Sequence, residues 1–472
     1  MILDAHKAKT ILNRVADIAI VGSGPAGITL AKALSKNFKV LVIEAGGGRE
    51  EQLAKDSLEG SVSGIDYPLV DTRARIFGGS STIWAGYCAQ FDLEDFQFCP
   101  WIPESGWPIE AEDVLRYYAK ASELLHVDDG CFEPNKLKKE LFNLSETTFS
   151  DTFKVGTWRF GKTKANFASE NIAYLENSTS IDLLLNACVT NIYLDESNTN
   201  SIEHIEIRSS LGRVGKVKAN KYILATGGIE TPRLLLSSRN QNLEGVANKS
   251  GKVGKYFMEH PHVTICGIDI KNDATLNEWT DVVTAVDGKK FTRCLGFSPA
   301  YKAQNRVLNA RVHFYRTPQM STTEKPKAGL FFEQAPNCYS CLTLTDKIDS
   351  FGMPRVNLNW ELSELDRYSH EVICKDVARE LIFRGIAVQT GRLGASEELL
   401  YSNHQLGTTR MSKSSRDGVV DENCKAHDIE NLFIVGGSVF PTVSWANPTL
   451  TVLALTLRLA DHINGEDNDF IP

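Results

Sequence analysis

The stretch "DIAIVGSGPAG", Asp17 to Gly27, decides how this chain is read. "DIAIV" is a short apolar strand, and Gly22, Gly24 and Gly27 follow it in a GxGxxG spacing. The first glycine permits a tight turn, the second lets backbone approach a pyrophosphate, and the third lets the next helix pack close to the strand. That helix is expected over "AGITLAKALSK" (Ala26–Lys36), with a second strand over "KVLVIEA" (Lys39–Ala45). Strand, helix and strand form a βαβ unit, which implies a parallel sheet with helices on its faces. The helix N-terminus offers free N–H groups and partial positive charge to phosphates. Glu44 ends the second strand twenty residues after Gly24, where a carboxylate accepts hydrogen bonds from a ribose. Alone the glycine motif is a weak signal; its place between strand and helix gives it weight.

Three more glycine-rich strand ends follow: "FGGSSTIWAG" (Phe77–Gly86), "ATGGIETP" (Ala225–Pro232) and "IVGGSVFP" (Ile434–Pro441). Each lets backbone come close to a bulky ligand. A nicotinamide enzyme of this build typically has one such fingerprint, whereas several suit a long dinucleotide lying extended across the domain. FAD is therefore expected ahead of NAD.

Between Cys188 and Thr226, "CVTNIYLDE", "IEHIEIRSS" and "GKVKANKYILATGG" read as an antiparallel meander of three strands. "TPRLLLSS" then reads as a short helix with Pro232 early, where proline is tolerated. Beyond Pro261, "HVTICGIDI", "LNARVHFYR", "CLTLTD" and "PRVNLNWEL" read as strands, and Glu364 to Arg384 as a helix. The expected fold is α/β: a Rossmann-like domain of parallel sheet plus meander, with a second domain on a largely antiparallel sheet. The expected divisions are 1–108 (first part of the dinucleotide domain), 109–180 (a connecting, substrate-shaping segment) and 181–260 (meander and second glycine motif). Residues 261–400 would form the substrate domain, and 401–472 would return to the first domain, ending in a polar, frayed tail.

A chain of 472 residues is long enough for two or three domains. Its net charge of -8 argues against nucleic acid as the main partner, because phosphate binding needs a basic face. No apolar signal core opens the chain, and no uncharged apolar run of about 18 residues suggests a membrane span. The ten cysteines are scattered, which fits reduced thiols and a cytoplasmic location. Cys338 and Cys341 form a CxxC, but the pattern continues as a strand and no second pair exists for zinc, so they read as ordinary thiols.

Taken together, these motifs resemble the glucose–methanol–choline (GMC) flavin-dependent oxidoreductases. The likeness runs from "DIAIVGSGPAG" through "GGSSTIWAG", "ATGGIETPRLLLSS" and "VGKYFMEHP" to a specific end block. That block holds "HQLGTTRM" and "IVGGSVFPTVSWANPTLTVLALTLRLADHI"; 109–180 and 264–401 match only loosely. "STIWAG" is nearest to the branch of pyranose 2-oxidase and bacterial sugar dehydrogenases. In pyranose 2-oxidase the position before that tryptophan is a histidine joined covalently to flavin. Here it is Ile83, so the resemblance implies non-covalent FAD. It also implies that Gly79, Ser80, Ser81 and Trp84 line the flavin side, with Val189 at the adenine end. Thr226 and Gly227 would border the cofactor, Gly437 and Ser438 its ribityl-phosphate portion, and Pro448 and Thr449 the flavin edge.

The family oxidises a C–H beside a hydroxyl: hydride leaves for flavin N5 while a base takes the hydroxyl proton. The resemblance places the base at His404 and its partner at Asn447. Neutral imidazole accepts a proton at pH 7, whereas an amide cannot and serves to position the hydroxyl. Locally, Asn447 also reads as the N-cap of a helix whose first residue is Pro448. His260 and His262 are a rival pair: two apart on a strand they would share a face and could hold a metal, but no third ligand stands out. His427 sits in a polar run and reads as surface. The expected partners are an alcohol or sugar and an electron acceptor: oxygen, a quinone or a redox protein. Two alternatives stay open: a non-redox flavoprotein lyase of the same fold, and a nicotinamide-dependent dehydrogenase.

Overall fold

The computed structural model describes residues 1–7, 13–127, 150–161, 163–271, 279–280, 282–284, 290–316 and 325–465. Of the frayed tail expected after Asn464, only Gly465 is among them. The glycine motif sits where the sequence puts it, at the end of β2 (Arg14–Val21) and the start of the Pro25–Leu34 helix. β3 (Val40–Ile43) is buried at every position, as suits a strand covered on both faces.

The first sheet runs β1 (Ile2–Asp4), β6 (Ile181–Leu185), β3, β2, β9 (Val214–Leu224), β8 (Ile202–Arg208) and β7 (Cys188–Leu194). Its β1–β6–β3–β2–β9 half is parallel and its β7–β8–β9 half is the expected antiparallel meander. β9 is long because one side serves two partners. Val214–Val217 pair with β8, and Tyr222–Leu224 pair in parallel with β18 (Leu432–Ile434). The final segment thus closes the sheet, and the Thr449–Asn464 helix packs on the Pro25–Leu34 helix in the same core.

The second sheet is antiparallel, in the order β11 (Val283–Thr284), β12 (Lys290–Phe297), β13 (Ala310–Tyr315), β14 (Lys327–Phe332), β10 (His262–Ile270) and β17 (Ala387–Ala395). β5 (Phe153–Phe160) pairs with β12. One face of this sheet buries Val263, Val312 and Leu330 against the Glu364–Phe383 helix. That helix buries His370, Ile373, Cys374, Val377 and Leu381, a helical stripe, and starts in a capping box between Ser363 and Asp366. β15 (Cys341–Ile348) and β16 (Pro354–Asn359) do not join it; with β4 (Ser61–Val62) they form a third sheet.

Pro232 is a correction. The helix begins at Gly227, not at Thr231, so the proline lies inside the Gly227–Ser237 helix. Proline has no N–H and leaves the carbonyl four residues earlier without its helical donor. The Thr408 hydroxyl donates to that carbonyl, Gly228 O, at 2.6 Å. Among the described residues no helix is long and apolar enough to cross a membrane. The described cysteines are free, with Cys338 exposed and Cys341 opening β15.

Candidate active site

A cavity of about 570 Å³ extends from the first βα turn to the start of the Thr449–Asn464 helix. At its first end the three glycines do separate things. Gly22 has φ +101°, and a Cβ there would stand 2.5 Å from Ala225 O. A Cβ on Gly27 would stand 1.9 Å from Gly22 O, so Gly27 lets helix and strand meet and does not itself line the cavity. A Cβ on Gly24 would meet nothing within 4 Å, because Gly24 borders the open cavity. The helix that follows has neither a side-chain cap nor an acidic residue in its first turn. Its free N–H groups therefore suit an anion.

Glu44 is buried where β3 ends and lines the cavity. It accepts from Ser23 N at 3.0 Å, Ser23 Oγ at 2.6 Å and Gly46 N at 2.8 Å. Burial raises its pKa against those bonds. A carboxylate has about four lone-pair sites, so one remains for a ribose hydroxyl. Uncapped N–H groups, an open glycine and a carboxylate with spare capacity fit the phosphate and ribose of a dinucleotide.

Gly79, Ser80, Ser81 and Trp84 line the same cavity, as do Val189, Thr226, Gly227 and Gly437. The Ser81 hydroxyl is turned inward, donating to Gly78 O at 2.6 Å, and Trp84 Nε1 donates to Ala165 O at 2.9 Å. Ser438 does not line the cavity. It is fully buried and its hydroxyl accepts from Thr409 Oγ1 at 2.8 Å, which ties the end block to the turn after β18. Ile83 also borders the cavity.

At the other end lie His404, Asn447, Pro448 and Thr449. The helix starts at Thr449, so Pro448 flanks it, and Asn447 does not cap it. The Asn447 side chain turns to His404 instead, with Nδ2 3.3 Å from Nε2. On its far side the His404 ring meets His260, Nδ1 to Nδ1 at 2.7 Å. Burial, and then His260, hold the His404 pKa well below the usual 6.5.

Of three neighbours, the sequence reading named His260 only as half of a rival pair and missed the other two. His260 and His262 do not meet on one strand face: Pro261 lies between them, β10 begins only at His262, and each ring meets a different histidine. His262 Nε2 meets His313 Nε2 at 2.7 Å, and among the described residues no group of His, Cys, Asp or Glu could hold a metal. Glu259 is fully buried and accepts the backbone N–H of His260 at 2.6 Å, of Ser402 at 3.0 Å and of His404. Burial pushes its pKa up to about 8. The signal was available: an acid and an imidazole side by side in the apolar run "YFMEHPHVTICG". The third is a buried ion cluster on the cavity wall, in which Arg73, Arg75 and Arg233 converge on Glu230. His427 is half-buried, its Nε2 3.0 Å from Ser412 O.

Residues 59–262 and 336–456 both match the GMC oxidoreductase family. The chain is a GMC oxidoreductase. Residues 20–91 also match the NAD(P)-binding Rossmann-like domain, which covers the glycine motif and β3. The GMC protein is 24% identical to 2-methyl-1,2-propanediol dehydrogenase of Mycolicibacterium austroafricanum, over 96% of each chain. It is 21% identical to paromamine 6'-oxidase of Streptomyces fradiae, over 96% of its own length and 92% of that protein's. A crystal structure of formate oxidase shares the fold, with a TM-score of 0.66 at 18% identity, covering 98% of this chain and all of that one. The GMC oxidoreductase uses FAD and oxidises CH–OH groups, so the nicotinamide alternative gives way.

Proposed function

We propose that this GMC oxidoreductase oxidises a hydroxyl of a sugar, glycoside or polyol, with His404 as base and Asn447 holding the hydroxyl. One observation carries the reading. The His404–Asn447 pair closes the far end of the cavity whose near end is the dinucleotide cradle. Bound FAD supplies the hydride acceptor. Residues Gly22, Gly24 and Glu44 hold its phosphate and ribose portions, and the backbone at Gly79, Ser80 and Gly437 flanks the rest. Ile83 has no nucleophile to offer, so the cofactor is held without a covalent bond. His404 is neutral in its buried place and takes the hydroxyl proton at Nε2. Asn447 Nδ2 lies beside that atom and donates to the substrate oxygen, fixing its direction. The N–H groups at the uncapped start of the Thr449–Asn464 helix add positive potential at this end. The second sheet, built from residues 261–400 with β5 added, is the substrate side. The choice of a carbohydrate-like alcohol rests on the "STIWAG" branch likeness, and is in keeping with the diol and the paromamine named for the two relatives.

The purified protein is expected to be yellow and to release FAD on denaturation. Anaerobic mixing with a panel of sugars and polyols is expected to bleach the flavin. His404→Ala is expected to keep FAD and to lose about 10²–10⁴-fold in bleaching rate. A flavin that stays oxidised across the panel while the protein cleaves a cyanohydrin would replace this reading with the lyase one. Repeating the assay with oxygen and with a quinone identifies the acceptor.

A further inference from the structure

Two imidazoles face each other through the same atom, and only one proton fits between them. His260 Nδ1 lies 2.7 Å from His404 Nδ1. The other nitrogen of His260 decides who donates. His260 Nε2 lies 3.0 Å from Val443 O and 3.0 Å from Ser444 O. Carbonyl oxygens only accept, so Nε2 carries hydrogen. His260 has no accessible surface, and burial holds its pKa down to about 4. The adjacent Glu259 carboxylate is occupied with backbone N–H groups and the Tyr67 hydroxyl at 3.5 Å. His260 is therefore neutral, its Nδ1 is bare, and His404 Nδ1–H donates to it.

A neutral His404 with hydrogen on Nδ1 has a bare Nε2. The opposite side of the ring agrees independently, because Asn447 presents its Nδ2, a donor, to that nitrogen at 3.3 Å. We propose that His260 is a positioning residue that locks His404 in the Nδ1–H tautomer, leaving Nε2 unprotonated toward the cavity. The role rests on the reading of His404 as the base. It has a corollary for the proton. The chain of bonds ends on two carbonyls, so His260 has nowhere to pass a proton. The proton taken at His404 Nε2 returns through the cavity side.

The test uses the FAD-loaded protein labelled with ¹⁵N in histidine, and long-range ¹H–¹⁵N spectra without substrate. Wild type is expected to show His404 with hydrogen on Nδ1 at neutral pH. His260→Leu removes the acceptor, and is expected to shift His404 away from that tautomer. It is also expected to slow anaerobic flavin reduction at saturating alcohol by about tenfold or more, with KM little changed. His260→Asn places an amide oxygen near the site of Nδ1, and is expected to restore the tautomer and most of the rate. Hydrogen on Nε2 in wild type would overturn the proposal, as would an Asn variant no faster than the Leu variant. The spectra need no substrate, so a wrong assignment of the base shows up separately, as undiminished reduction in His404→Ala.

Discussion

At the scale of single residues, the proposed catalytic end holds imidazoles whose charge states are set by burial. His404 is pressed below its ordinary pKa by desolvation and by His260. The sign follows directly. A base with a depressed pKa stays unprotonated as pH falls through 6.5, and loses activity only further down. The acid limb of kcat/KM for alcohol oxidation is therefore expected below about pH 6.5, the value for free imidazole. A limb at or above that value in a pH series would contradict the burial seen here. That His404 and Asn447 both line the cavity was legible because each stands in a specific motif of the end block. The place of Asn447 was only half legible, since an Asn-Pro pair reads as a cap and the helix starts two residues later. His260 was legible as polar in an apolar run, but its partner lies 144 residues away, and no local pattern carries that distance.

At the scale of elements, the Gly227–Ser237 helix depends on a residue from another part of the chain. Pro232 withholds an N–H from Gly228 O, and the buried Thr408 hydroxyl supplies the missing donor. A Cβ on Gly228 would stand 2.1 Å from Gln405 O, so the end block runs tight against this helix start. Thr408→Val leaves a buried carbonyl without a partner, and is expected to cost about 1–3 kcal/mol in urea denaturation. Pro232→Ala in the Thr408→Val background restores a helical N–H, and is expected to recover part of that loss. No recovery in the double variant would mean that the carbonyl is not the source of the cost. Strands and long helices were readable from their periodicity: the meander and the Glu364–Phe383 helix lie close to where alternation and the i, i+3, i+4 stripe put them. The third sheet was not readable, because β4 is two residues long and pairs with β16, which starts at Pro354.

At the scale of the whole molecule, the cavity wall is held by charge across distant segments. Arg73 and Arg75 come from the run before Gly78, Glu230 and Arg233 from the Gly227–Ser237 helix, and Asp349 from the turn after β15. Burial alone would raise the Glu230 pKa, but Arg75, Arg233 and Arg73 bring it down to about 2. Glu230→Gln would take the shared carboxylate from three buried guanidinium groups, leaving Arg233 its pair with Asp349 and Arg75 the pull of Asp349 and Glu44. A loss of about 3–5 kcal/mol in unfolding free energy is expected, with weaker FAD retention. A change below about 1 kcal/mol would show that the cluster does not bind these segments together.

The shared side of β9 has a consequence for how the chain is made. Tyr222–Leu224 wait for Leu432–Ile434, which the ribosome adds about two hundred residues later. At roughly 5–20 residues per second the delay is on the order of 10–40 s. During that time the last three residues of β9 have one unpaired side, an open strand edge of the kind that recruits other nascent chains. Adding FAD early cannot cover it, because Gly437 and Asn447 arrive later still. Yield in a foreign host should therefore respond to chaperone supply more than to added flavin, and slower translation should lower it.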